Sequence, residues 1–288
     1  MERKTLMYRS QVEYGGWTIN HVQGCSHGCK YPCYAMSLAK RTGRVKTYDQ
    51  WCRPEIVENA AQLLVRELAR YGETAPSVHL CFTTDPFMWD SALVGPNKEV
   101  SALTMKLIHQ LNAAGIRVTT LTKGVYPDDF IVEARSLHPD NQYGVSVVSL
   151  SEHFRKEWEP GAAPIERRMQ SIEGLAAASL RTWVSVEPYP TPNVDSSASD
   201  PSLLLERLLF VDRVVFGRWN YSALINSFAG VDVHYAGVAQ AFSAWAKTHG
   251  KPLHIKKGTP LAEDNSVDVL DVSTSAARMA VGCVQAAR

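Results

Sequence analysis

Gly24-Cys25-Ser26-His27-Gly28-Cys29-Lys30-Tyr31-Pro32-Cys33-Tyr34-Ala35 places three of the chain's six cysteines within nine residues. A strand-like segment, Gly16–Val22, precedes it and a helical one follows from about Tyr34. Glycine and proline keep the segment from Cys25 to Cys33 out of regular structure, so it reads as a loop that can aim three sulfurs at one spot. Three thiolates leave a tetrahedral zinc site one ligand short, and they leave a [4Fe–4S] cluster with one open iron. The reading is a cluster whose open iron binds a small molecule. The alternative is structural zinc on Cys25, Cys29 and Cys33 with His21 or His27. A further alternative is a nucleic-acid-binding module in which zinc or a cluster serves stability alone.

Outward from the loop, a strand-then-helix rhythm repeats. Strands are expected at Val78–Thr83, Ile116–Thr122, Tyr143–Val148, Thr182–Val186 and Arg213–Phe216. Helices are expected at Pro54–Tyr71, Asn97–Ala114, Pro127–Leu137, Ala163–Ala178, Pro201–Leu209 and Tyr235–His249, with a last extended piece at Pro252–Ile255. Six such units imply a parallel sheet with helices outside, too few for a closed eight-fold barrel. The expected fold class is α/β, a partial (β/α)6 barrel over residues 1–220. Residues 221–288 are expected to form a C-terminal extension packed on it. The stretch from Pro190 to Pro201 reads as a loop or lid. No G-x-G-x-x-G turn follows strand one, which weakens a dinucleotide-binding reading.

The chain has 288 residues, 45% hydrophobic and 20% charged, with a formal net charge of +1. No global field therefore draws it to nucleic acid or anionic lipid. No apolar run approaches a membrane span, and Met1-Glu2-Arg3-Lys4 opens no apolar signal segment. The expectation is a cytoplasmic protein without membrane contact, where clustered cysteines are ligands rather than disulfides. Cys52, Cys81 and Cys283 are scattered and show no ligand spacing. Basic clusters at Lys40-Arg41-Arg44-Lys46 and Lys256-Lys257 read first as solvated faces.

In parallel α/β barrels the chemistry collects at the C-terminal strand ends. Polar residues recur there: Thr84-Asp85-Pro86, Thr122-Lys123-Gly124, Ser146, Glu159 on the following loop, Glu187-Pro188 and Arg218-Trp219-Asn220. Trp89, Trp158, Trp183 and Trp219 lie near the same ends and could wall a pocket.

Gly24-Cys25-Ser26-His27-Gly28-Cys29, Cys33-Tyr34-Ala35, Thr84-Asp85-Pro86-Phe87, Leu121-Thr122-Lys123, Val145-Ser146-Val147, Glu159-Pro160-Gly161 with Arg167, and Glu187-Pro188 occur in an order and spacing that resemble the radical S-adenosylmethionine superfamily. The likeness is to its spore photoproduct lyase-like branch and runs from about Asn20 to Pro190. It implies a [4Fe–4S] cluster on Cys25, Cys29 and Cys33, with S-adenosylmethionine on the open iron. It implies reductive cleavage to a 5′-deoxyadenosyl radical that abstracts hydrogen from a substrate. An electron donor such as flavodoxin or ferredoxin would be required. The substrate would be a nucleic-acid lesion or nucleotide, or else a small molecule or peptide, aminocarboxypropyl transfer included. Carried over by position, Thr84 meets the methionine amino group, and Lys123 and Ser146 its carboxylate or the ribose. Tyr31 or Tyr34 lies near the adenine, Glu159 and Arg167 pair to order the pocket, and Asp85 and Glu187 complete it. Cys81 stands near the position of a hydrogen-donating cysteine. The family spaces its cysteines by three and then two residues, whereas both gaps here are three.

Overall fold

The computed structural model of the chain describes residues 1–262. Cys283 and the last part of the expected extension lie outside the described residues. Eight strands form one sheet: β1 (Met7–Arg9), β2 (Trp17–Ile19), β3 (Ser77–Leu80), β4 (Arg117–Thr122), β5 (Gln142–Ser146), β6 (Arg181–Tyr189), β7 (Arg213–Arg218) and β8 (Leu253–Ile255). They are paired in that order. β1 and β2 are antiparallel; every later neighbour is parallel. The expected partial barrel is therefore present. It gains β1 on one edge, and β8, inside the expected extension, continues the same sheet on the other.

The outer layer comprises α1 (Tyr34–Arg41), α2 (Tyr48–Trp51), α3 (Ala60–Tyr71), α4 (Lys98–Ala113), α5 (Phe130–Ala134), α6 (Glu152–Trp158), α7 (Ile165–Ala177), α8 (Ser202–Arg207), α9 (Ala223–Asn226) and α10 (Val231–His249). Their ends follow local chemistry. Asn97 caps α4 by accepting from the Val100 N–H, and Gly115 leaves it at φ +71°. Ser151 caps α6 through the Phe154 N–H. The helix expected from Pro54 begins only at Ala60, because Glu55–Ile56 is drawn into an antiparallel pair with Val22–Gln23. That pair anchors the entry to the cysteine loop, a tertiary contact overriding local pattern. The Pro190–Pro201 stretch is a pinned loop: the Asp195 carboxylate accepts from Ser149 Oγ and from the Ser197 N–H.

The barrel interior is solid below the strand ends. Trp183 is fully buried; its Nε1 donates to the Thr120 carbonyl at 3.1 Å, it lies against Gly144, and its ring meets those of Tyr14 and His79 edge-on. Arg213 caps it, with the guanidinium 4.8 Å from the ring centre. One side chain touching residues of β3, β4, β5 and β7 can only stand in the lumen. The seam between the first and last strands is closed by the loop after β1. Glu13 accepts from the Lys257 N–H at 3.2 Å and approaches His254, whose ring also meets Tyr14.

Candidate functional site

Above Trp183 the strand ends open into a cavity of about 480 Å³, a volume typical of cofactor and small-molecule sites. Cys25, Cys29 and Cys33 all line it, with Tyr31, Tyr34, Cys81, Thr84, Asp85, Lys123, Ser146 and Glu187. Residues distant in sequence thus meet where the parallel strands end, as the topology requires.

Asp85 is the knot of the site. One carboxylate oxygen accepts from the Phe87 N–H at 2.9 Å and Thr122 Oγ at 2.7 Å, the other from the Lys123 N–H at 2.8 Å. His27 Nδ1 stands 3.5 Å away. His27 Nε2 accepts from the Trp89 N–H at 2.9 Å, so its proton sits on Nδ1, toward Asp85. Burial first, against the opposing pull of Asp85, lowers the His27 imidazole to about 4, which keeps it neutral. One carboxylate thereby joins the cysteine loop, the turn after β3 and the end of β4. Thr84 adds a bond from its hydroxyl to the Gly24 carbonyl.

Glu159 is buried behind the loop. Tyr31 Oη donates to it at 2.8 Å, Arg168 pairs with it at 2.7 Å and Lys123 Nζ stands 3.8 Å away. Burial opposes ionisation of Glu159, but Arg168 and then Lys123, with the bonds from Arg168 and Tyr31, outweigh it and hold the carboxyl below 4.5. The expected partner, Arg167, is corrected to Arg168. Successive residues of a helix are turned by about 100°; on α7 that points Arg168 inward and Arg167 into solvent. Glu159 and Arg167 do not line the cavity.

The two candidate adenine neighbours differ. Tyr31 is buried, held by Glu159 and set edge-on to Trp219 at 5.3 Å. Tyr34 is 53% exposed and donates to the Phe82 carbonyl, so its ring is the one reachable at the cavity edge. Of the tryptophans named above, Trp219 lines the cavity, Trp158 packs on it at 4.9 Å, and Trp89 and Trp183 are core.

Cys81 lines the wall at φ +66°. The Thr104 hydroxyl has carbonyls of Pro86 and Val100 at 2.6 and 2.9 Å to donate to. His21 Nε2, 2.7 Å from that hydroxyl, must then be the donor, which leaves Nδ1 bare. Cys81 Sγ lies 3.4 Å from that Nδ1, so its S–H points at His21. Glu187 pairs with Lys256 at 3.2 Å; burial raises its carboxyl, with Lys256 opposing.

Both histidines of the zinc alternative are thus committed to hydrogen bonds. Among the described residues no three His, Cys, Asp or Glu side chains converge as a single-ion site demands. A four-iron cube asks for less convergence, because each thiolate binds a different iron. The residues fit such a group and an organic ligand beside it. Cys25, Cys29 and Cys33 line the same cavity, burial pushes the Cys29 thiol up to about 12 and the Cys25 thiol well above its ordinary value, so a cation is needed to draw off their protons, and buried Trp219 Nε1 and His79 Nε2 have no partner among the described residues.

The loop is held by close backbone approach. Gly161 donates to the His27 carbonyl at 2.9 Å, and a Cβ there would collide with the Ser26 carbonyl oxygen. Gly161→Ala will therefore displace the loop. Iron bound after anaerobic reconstitution is expected to fall several-fold while circular dichroism stays native; unchanged iron would show the loop tolerates the shift.

Solved structures carry the same architecture. A mutant form of spore photoproduct lyase with bound AdoMet and dinucleoside spore photoproduct superposes with a TM-score of 0.62 over 88% of this chain and 80% of that one, at 15% identity. The chain has the spore photoproduct lyase fold. The lyase complexed with dinucleoside spore photoproduct matches over the same share, again with a TM-score of 0.62 at 15% identity. No family model matches the chain. The uncharacterized protein Rv2578c of Mycobacterium tuberculosis is 27% identical over 191 residues, 65% of this chain and 54% of Rv2578c, and a Mycobacterium bovis protein, Mb2609c, matches equally. The chain spans about half the length of these curated relatives. Among the described residues no helix is long and apolar enough to cross a membrane.

The interior His79, the seam residues Glu13 and Tyr14, and Arg168 were not singled out from sequence. Only Arg168 left a trace there, as the neighbour of Arg167.

Proposed function

We propose that the chain is a radical S-adenosylmethionine enzyme of the spore photoproduct lyase-like branch. The observation that carries this is the gathering of Cys25, Cys29 and Cys33 with Thr84, Lys123 and Ser146 around one cavity at the parallel strand ends. Cys25, Cys29 and Cys33 would hold a [4Fe–4S] cluster, and S-adenosylmethionine would take the adjoining space. Bound there, the pair would supply one-electron reductive cleavage of the sulfonium and, through it, abstraction of hydrogen from a substrate.

The chain's own residues bind, orient and exclude water. The Lys123 ammonium, over the Tyr31 ring at 5.7 Å, would neutralise the methionine carboxylate in this reading. Ser146 and Thr84 offer hydroxyls beside it, and Tyr34 offers a ring for the adenine. Asp85 fixes the backbone around Lys123 rather than touching the ligand. Arg168 and Tyr31 position Lys123 through Glu159. Cys81, its proton held toward His21, is the candidate hydrogen donor on the wall.

Part of the lining is aromatic, with Tyr14 and Phe82 5.8 Å apart, and Glu187 and Lys256 line the same cavity. Flat faces with polar edges suit a nucleobase, so the substrate in this reading is a nucleotide or nucleic-acid lesion. An external one-electron donor, a flavodoxin or ferredoxin, completes the system, in the reducing cytoplasm where five free thiols among the described residues are at home.

The test is anaerobic reconstitution, then dithionite and S-adenosylmethionine. About four irons per chain and release of 5′-deoxyadenosine are expected. A colourless protein with one zinc would overturn the reading.

A further inference from the structure

Residues 25–53 carry six Lys or Arg (Lys30, Lys40, Arg41, Arg44, Lys46, Arg53) and one acidic residue, Asp49. This tenth of the chain stands at +5 and the remaining nine tenths at −4, within an overall +1. All six cations are exposed, and none pairs with a carboxylate among the described residues. Arg3 lies close enough to Arg44 that, after burial, its charge is what most lowers the Arg3 guanidinium. Charges of one sign held together unpaired weaken a fold unless something of opposite sign meets them.

The lobe has its own small core of Ala35, Ala39, Val45 and Trp51, and Cys25 and Cys33 pack against it. The basic end of α1 is thus on the back of the cysteine loop; from Cys33 to Lys40 is about 10 Å at the helical rise. Between solvent and the loop stands little protein. Tyr48, 37% exposed among these cations, donates to the Gly28 carbonyl, one residue before Cys29. Gly28 sits at φ +54°, and a Cβ there would meet Tyr48 Oη and the Cys52 sulfur, so the tyrosine ring lies directly on the loop.

We propose that this lobe is the docking surface for an acidic one-electron carrier protein bearing a flavin or an iron–sulfur centre. The inference rests on the function proposed above, which needs one electron per cleavage from outside; the carrier is oxidised as it gives up that electron, and the sulfonium is reduced. Position favours a carrier over nucleic acid. None of the six cations lines the cavity, whose opening is marked instead by exposed Tyr34, Tyr221 and Lys257. A strand offering a base to the cavity would lie against those residues rather than on the six cations.

The test uses the full chain and a purified bacterial flavodoxin, with binding measured by calorimetry at about 50 mM and about 200 mM salt. Wild-type affinity should fall with salt, and Lys40→Glu/Arg44→Glu/Lys46→Glu should weaken binding at least about tenfold. Lys106→Glu/Lys247→Glu, exposed charges on α4 and α10, should bind as wild type does. Cleavage driven by dithionite should be equal in all three proteins, while cleavage driven by reduced flavodoxin falls in the triple variant alone. Equal flavodoxin affinity in the triple variant and wild type overturns the docking surface. So does loss of oligonucleotide binding in the triple variant with flavodoxin binding intact. Failure of dithionite to yield 5′-deoxyadenosine in wild type strikes instead at the proposed function.

Discussion

Cys29→Ala protein, reconstituted with iron and sulfide without oxygen, is expected to stay colourless. Loss of a residue that merely supports a metal ligand costs roughly 10–100-fold in affinity; loss of a ligand in the middle of the trio should cost at least that. The two sulfurs left, Cys25 and Cys33, cannot fix a cube with two corners unfilled. Cys52→Ala is the internal control. Cys52 packs against the same lobe but does not line the cavity, so its variant should keep wild-type iron and its brown absorption. Equal iron in Cys29→Ala and wild type would end the cluster reading. Low iron in Cys52→Ala alone would move the site behind the loop.

The second large effect concerns stability. Arg168→Met removes the main counter-charge of Glu159, a carboxylate 2% exposed. Stranding one member of a buried pair costs about 3–5 kcal/mol, and a chain of this size loses a few degrees of melting temperature per kcal/mol. A fall of about 10 °C by calorimetry is expected. Arg167→Met, on the exposed face, should stay within about 0.5 kcal/mol of wild type. Reversal of that ranking would mean that the helix register is wrong. The sign with pH follows from the lowered carboxyl. Its stabilisation is present above the unfolded value and disappears as pH falls through the folded one. The gap between wild type and Arg168→Met should therefore narrow as pH falls below 4.5 and through the lowered folded value, where wild-type Glu159 takes up its proton.

Much of this site is legible in the chain because its chemistry sits at the ends of regular elements. The cysteine spacing and the polar residue after each apolar strand survive any error of a few residues in strand limits. Thus Thr84, Asp85, Lys123, Ser146 and Glu187 can be read from position alone. Arg168 could not: adjacent arginines have identical local signals, and only the packing of α7 selects one. Nor could the late start of α3, since Pro54 and the apolar spacing after it favour a helix until Val22–Gln23 recruits Glu55–Ile56. His79 reads as an ordinary strand residue and Trp183 as a wall of the pocket rather than its floor, because occupation of the lumen is a property of five strands together. β1 is too short and too separated from its partner in pattern to announce an antiparallel edge.

The bond from Glu13 to the backbone of Lys257 bridges 244 residues of chain. During synthesis at about 5–20 residues per second, roughly 10–45 s pass between the appearance of Cys33 and that of Lys257. Until Lys257 appears, the bond that closes the seam cannot form. Loading with iron and sulfur during this time would meet an open seam; after release from the ribosome it must proceed through a finished aperture. In the proposed reading, the order in which the polypeptide and its cluster come together is thus written into the distance between a glutamate near the beginning and an amide near the end.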